Sequence, residues 1–382
     1  MRHLTRLGTF VETVSKFLRE LRRKHPDLVR LLDPDDWRRY VDRTGEGCFA
    51  PATPSQSKRR LPAAARDLYR LVEQFRSTPA AGLESYQLLA RVLEEQCEIV
   101  EDDPDDGPPG RATAKDFAGS TVVVKAPHDV ACDNVVNPAD PDTSYSAHRG
   151  LGYLVQIMES FSGDDSLDGA KPDLITHVSV GKMNTHDREA LVPALSDTQE
   201  RNVGPLLLLA DTHYGSNECV KAAAARGVEL LAPIMTAKGK KQHKLTLEDF
   251  ELDASGRVLR CPQGHEPVFT SAKDYGLRAR FDQATCSGCM MGNRCPAFGK
   301  VHLQYTHERV KNRTKRLAQH EPRFKDRYRM RSGIEATMSR YKQQMNMAGL
   351  RVGGMGAVRY RAVLRALGLN IFRVTAWRES MC

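Results

Sequence analysis

Apolar residues recur at helical spacing through the first hundred positions. Phe10, Val11, Val14, Leu18 and Leu21 form one stripe, and residues 61–75 and 86–99 repeat the pattern. Residues 1–100 are therefore expected to be a helical region. The pattern breaks at 101–120, an acidic stretch with Pro104, Gly107, Pro108, Pro109 and Gly110, which reads as a linker or exposed loop. Short β-like runs follow at 121–125, 153–158, 174–180 and 205–210. Residues 187–199 fit a helix before the last of these. Residues 215–226 fit one after it, and 228–233 a further strand. Residues 236–308 are polar and contain cysteines. A basic helix comes next, then a Gly-rich break at 353–356 and an amphipathic helix near 358–377. The expected organisation is a helical region, a linker, an α/β core beginning at 121–235, an insertion at 236–308, and the helical remainder of the core at 309–382.

Composition narrows the class. A chain of 382 residues can bury a large core. It has no apolar run long enough to span a bilayer and no secretory signal, so a cytoplasmic protein without a membrane partner is expected. Nine irregularly placed cysteines do not suggest a secreted disulfide framework. The net charge of +9 is uneven. Residues 300–382 carry 19 Lys and Arg against 5 Asp and Glu, a balance of +14 that leaves −5 for the rest. A basic C-terminal fifth on a mildly acidic body fits a nucleic-acid partner, and it equally fits a solubilising surface.

The most specific pattern lies in that basic region. Tyr328, Arg331, Glu335 and Lys342 stand at offsets 0, +3, +7 and +14. On one continuous helix these fall within an arc of about 60°. Met330, Ile334, Met338, Tyr341 and Met345 form an apolar stripe beside it. One carboxylate among cations suits a metal-dependent site for a polyanion; a solvated basic helix with a structural Glu is the plain alternative. Further upstream, residues 206–210 end in Asp211-Thr-His-Tyr-Gly-Ser. A carboxylate after a buried strand points into the crevice where α/β sheets bind ligands. The alternative is that Asp211 or Thr212 caps the next helix.

Together these motifs resemble the DDE transposases of bacterial insertion sequences. The Y-(2)-R-(3)-E-(6)-K spacing resembles their signature, and Ala210-Asp-x-x-Tyr-x-Ser their second catalytic motif. The resemblance implies an RNase H-like mixed sheet flanked by helices. It also implies a DNA partner, both transposon ends and target, and a homodimer on DNA. The implied activity is metal-dependent cleavage and strand transfer using Mg²⁺ or Mn²⁺. Asp211 and Glu335 would be metal-binding acids, and Tyr328, Arg331 and Lys342 would contact phosphates.

The third acid is harder to place. No Asp-bearing strand precedes the expected 153–158/174–180 hairpin. Asp140 and Asp142 sit among Pro138 and Pro141, which favour a loop. Asp140 is the fallback. In such relatives the first acid precedes a helix resembling Arg6-Leu-Gly-Thr-Phe-Val-Glu-Thr, and Met1 stands immediately before that helix here. The expectation is therefore an N-terminally short transposase that lacks the first acid and the usual N-terminal helical DNA-binding region, the acid being encoded upstream of Met1 or replaced by Asp140 or Asp142. The alternative is an inactive remnant that retains DNA and zinc binding.

Cys261, Cys286, Cys289 and Cys295 combine one C-x-x-C knuckle with two more thiols. They could hold a structural Zn²⁺, with His265 as a substitute ligand, or remain reduced thiols. Cys48, Cys97, Cys132, Cys219 and Cys382 read as ordinary small residues. His177, His186 and His213 read as structural or surface histidines near the crevice.

Overall fold

A computed structural model describes residues 4–42, 53–101, 120–161 and 171–381. It is a mixed α/β structure. Residues 102–119 of the expected linker, with Cys48 and Cys382, lie outside the described residues. The chain divides into two compact units. One holds residues 1–155, 180–185 and 349–364; the other holds 156–179, 186–348 and 365–382.

The first unit is built on the expected helices. Thr5 caps α1 (Arg6–Lys24) by accepting from Gly8 N, and three basic residues occupy its last turn, where the dipole favours them. After the short α2 (Pro34–Asp36), α3 (Pro54–Phe75) opens on a Thr53–Gln56 capping box. α4 (Glu84–Gln96) follows. Their apolar stripes meet in one core. Phe17 packs edge-on against Phe75 and Tyr86, with centroids 5.3 and 5.9 Å away. Burying each such side chain is worth about 1.5–3 kcal/mol. The buried Asp36 carboxylate accepts from Arg70 at 2.6 and 2.7 Å, so its charge is not left uncompensated. β1 (Cys97–Glu101) pairs antiparallel with β2 (Ser120–Val124), from Cys97↔Val124 to Glu101↔Ser120.

β3 (Ser144–Ser146), β4 (Gly150–Glu159) and β5 (Ile175–Lys182) lie side by side in that order. β3 covers β4 only from Gly150 to Gly152. Beyond that point β4 has a strand partner on one side among the described residues.

The second unit continues with α5 (Leu191–Glu200), β6 (Leu207–Leu209), α6 (Asn217–Ala224) and β7 (Glu229–Leu231). β6 and β7 are parallel, with Leu208 opposite Leu230. Leu191, Leu195, Cys219, Ala223, Val228 and Leu230 form their shared core. The one-turn α7 (Lys238–Lys241) leads into the cysteine-containing stretch, residues 236–308, whose sequence reads as an insertion. There β8 (Glu251–Leu252) pairs with β9 (Val258–Arg260), and β10 (Phe269–Lys273), β11 (Gly276–Arg280) and β12 (His302–Tyr305) form a second sheet. α8 (Gln283–Ser287) lies between β11 and β12. The segment thus has a core of its own, around Phe250, Leu277, Phe281 and Tyr305.

Three further helices end this stretch: α9 (His307–Ala318), α10 (Pro322–Tyr328) and α11 (Ser332–Gln343). The last helix, α12 (Met355–Ser380), buries Val358, Ala362, Ala366 and Leu369. Tyr360, Val363, Leu367 and Ile371 are exposed, so the helix is apolar on more than the one face its sequence suggested.

Candidate metal and DNA site

Residue Asp211 stands just past the C-terminal end of β6, where the parallel pair stops. Its Oδ1 accepts from His213 N at 2.9 Å and caps the turn Thr212–Tyr214. The cap on α6 is instead Ser216, whose Oγ accepts from Cys219 N. Gly215 between them cannot carry a side chain, because a Cβ there would lie 2.0 Å from Pro233 O. The motif residues therefore have separate tasks: Asp211 offers a second carboxylate oxygen, Gly215 allows close approach and Ser216 starts the helix.

That second oxygen has company. Asp211 Oδ2 lies 3.8 Å from His213 Nδ1, and Asp187 Oδ2 lies 3.1 Å from the same nitrogen. Asp187, Asp211 and His213 each place a ligand atom within 4.8 Å of the others, the one such trio among the described residues. Gln156 Nε2 steadies the set, reaching Asp187 O at 3.2 Å and Tyr214 Oη at 3.1 Å. Two carboxylates and an imidazole form a donor set that suits a divalent cation. Sequence reasoning missed Asp187 and read His213 as structural or surface. Asp187 opens the 3₁₀ turn Asp187–Ala190 ahead of α5, a place that its spacing to Asp211 does not announce.

Tyr328 joins the two motifs. Its hydroxyl donates to Ala210 O at 2.9 Å, one residue before Asp211. Burial pushes its pKa up; the Arg331 cation lowers it, and the Asp211 and Glu335 carboxylates raise it further. Both acids thus act on one phenol. Glu335 accepts from Arg331 Nη1 at 2.6 Å and is otherwise two-thirds exposed.

The single helical strip expected over residues 328–342 does not form. Tyr328 ends α10, Arg329–Arg331 is a 3₁₀ turn, and Glu335 rides on α11. Ser332 Oγ donates to Arg329 O, drawing that carbonyl away from a regular ladder. Glu335 and Lys342 still share a face of α11 because seven residues make almost two turns. The apolar flank behaves as expected: Met330 and Ile334 line a cavity, and Tyr341 is buried.

This cavity, about 530 Å³, lies between residues 156–160 of the β4–β5 hairpin and residues 206–210. Asp211 and Arg331 stand on its wall. β6 is only half-buried, where a buried strand was expected. Among the described residues β6 pairs only with β7, and the open space beside its other edge explains the difference. His177, on β5, also lines the cavity; its Nδ1 is engaged by Asp197.

Asp140 and Asp142 belong to the other unit and lie in a turn. Asp140 Oδ1 accepts from Tyr153 Oη at 2.6 Å and Gly354 N at 3.0 Å. Asp142 Oδ2 accepts from Met355 N at 2.7 Å, at the start of α12. Both act there as anchors for the Gly-rich entry to the last helix. Cys261, Cys286, Cys289 and Cys295 line one small cavity in the insertion. Cys97 and Cys219 are buried in apolar cores, and Cys132 is exposed.

Residues 260–375 match a transposase DDE domain. The matched stretch includes Tyr328, Arg331, Glu335, Lys342 and the four insertion cysteines. Asp187 and Asp211 lie ahead of it. No curated protein and no solved structure matches the chain. No helix among the described residues is long and apolar enough to cross a membrane.

Proposed function

We propose that this chain is a DDE transposase that cuts and rejoins DNA strands at the ends of an insertion sequence. The observation that carries the reading is the docking of Tyr328 on Ala210. It ties the segment with Glu335 to the strand end with Asp211, inside the unit that contains most of the transposase match. The succession of the β4–β5 hairpin, α5, β6, α6 and β7 is the order expected of an RNase H-like core.

Asp187, Asp211 and His213 would hold Mg²⁺ or Mn²⁺, with Glu335 as a further acid. When bound, the divalent ion supplies electrostatic stabilisation for the charge that builds on a phosphodiester under attack. The chain's own residues do the positioning. Tyr328 fixes the strand end. Arg331 holds the Glu335 carboxylate and keeps a cation on the cavity wall, where a phosphate can replace part of that pairing. Lys342, exposed on the same face of α11 as Glu335, meets the backbone further along the duplex. A homodimer would bring two such sites to a pair of ends.

The test is nicking of supercoiled plasmid by the purified chain with Mn²⁺. Activity should require the metal and fall at least a hundredfold in Asp211→Asn and in Glu335→Gln. Undiminished nicking by both variants would overturn the assignment.

A further inference from the structure

The insertion contains chemistry that strand transfer does not use. Its core is small: eight buried apolar residues, with Phe250, Phe281 and Tyr305 the largest. Cores of this size commonly need a staple. Beside this core four thiols come together from separate stretches of chain. Cys261 follows β9, Cys286 lies in α8, Cys289 follows α8, and Cys295 follows the 3₁₀ turn Gly292–Arg294. All four line one cavity of about 170 Å³.

The local backbone presents them. Cys261 N donates to His265 O at 2.9 Å and Gly264 N donates to Cys261 O at 2.8 Å. This tight turn needs φ +82° at Gly264, a conformation that favours glycine. Cys289 N donates back to Cys286 O, and Cys295 N is shared between Met291 O and Gly292 O. Gly292 lets the Phe298 ring close over the segment, since a Cβ there would lie 2.5 Å from it. Burial first, and then the other three thiols, push the Cys286 thiol up.

We propose that Cys261, Cys286, Cys289 and Cys295 form a closed, structural zinc site that staples the insertion. Each thiol loses its proton to solvent on binding and becomes a thiolate ligand, so four protons leave for one Zn²⁺ bound. No three of the sulfurs lie within 4.8 Å of one another, so the ion draws them in to Zn–S distances of about 2.3 Å. With four thiolates no coordination position is left open, so the metal has no part in strand cleavage. The inference stands independently of the proposed function.

The test uses the full chain purified under reducing conditions. Elemental analysis should find about one zinc per chain, and Asp211→Asn should leave that value unchanged. The Cys286→Ser/Cys289→Ser double variant should lose it. Cobalt substitution of the wild type should give the intense thiolate charge-transfer and d–d bands of tetrahedral coordination. This readout needs no variant and survives poor folding of the double variant. A metal-free chain with no cobalt bands would overturn the site. So would zinc retained by the double variant but lost in Asp211→Asn, or disulfides among the four cysteines in freshly purified protein.

Discussion

The hydroxyl of Tyr328 donates to the carbonyl of Ala210 at 2.9 Å, although the two residues are 118 positions apart. The bond fixes where α10 ends relative to the strand end that carries Asp211. Tyr328→Phe removes the donor and leaves a partly buried carbonyl. The expected loss is about 1 kcal/mol of stability, read as a lower urea midpoint at unchanged m-value. Nicking should fall more than this loss alone explains, because Glu335 is carried on the same segment. Full activity in Tyr328→Phe would show that the contact does not position the site.

The Asp187 set predicts a metal site that can be tested without turnover. Fe²⁺ in place of Mg²⁺, with ascorbate and peroxide, should cleave the backbone near residues 187 and 211. Asp187→Asn and Asp211→Asn should each weaken Mn²⁺ binding at least tenfold in titration calorimetry, because each removes one of two carboxylates in a three-donor set. Cleavage confined to other regions would exclude the trio.

Salt dependence tests the DNA-facing side. If Lys342 meets one phosphate, Lys342→Ala lowers affinity for all sequences alike. The slope of log K against log salt should then flatten by about 0.9. Fluorescence anisotropy with labelled duplex across a salt series measures it. An unchanged slope would place Lys342 away from the backbone.

A buried ion pair predicts the largest effect on stability. Glu159, on β4, accepts from Thr337 Oγ1 at 2.6 Å and Arg373 Nη1 at 3.0 Å, and both charged side chains are well under one-fifth exposed. Glu159→Ala would leave the guanidinium buried without its anion, at a cost of about 3 kcal/mol or more. Glu159→Gln/Arg373→Met should be milder than Glu159→Ala, because neither charge is then stranded. Thermal denaturation of the three proteins orders them.

Elements with a strong period were legible from sequence. The stripe from Phe10 to Leu21 became α1, and the runs around 153–158, 174–180 and 228–233 became β4, β5 and β7. Local chemistry was readable too: Pro138 and Pro141 kept Asp140 off a strand. What failed depended on a single competing bond or on distant chain. The strip from Tyr328 to Lys342 broke at a turn stabilised by Ser332 Oγ, which periodicity does not register. Asp187 belongs with Asp211 only because the turn Asp187–Ala190 packs against the turn Thr212–Tyr214, and no spacing within one segment encodes that. The 236–308 stretch read as polar because its few core residues are scattered over three short strands and the loops between them.

The open space beside β6 has a consequence for how the molecule can associate. The Leu207–Leu209 backbone is hydrogen-bonded to β7 on one side, and β4 beyond Gly152 has a strand on one side among the described residues. Between them lies an apolar slot in which Leu206 is 85% exposed and His177 Nε2 is buried without a hydrogen-bond partner. Unpaired rows of N–H and C=O groups are templates for another length of extended chain. An extended segment laid along either edge would add backbone hydrogen bonds to it and cover the exposed Leu206.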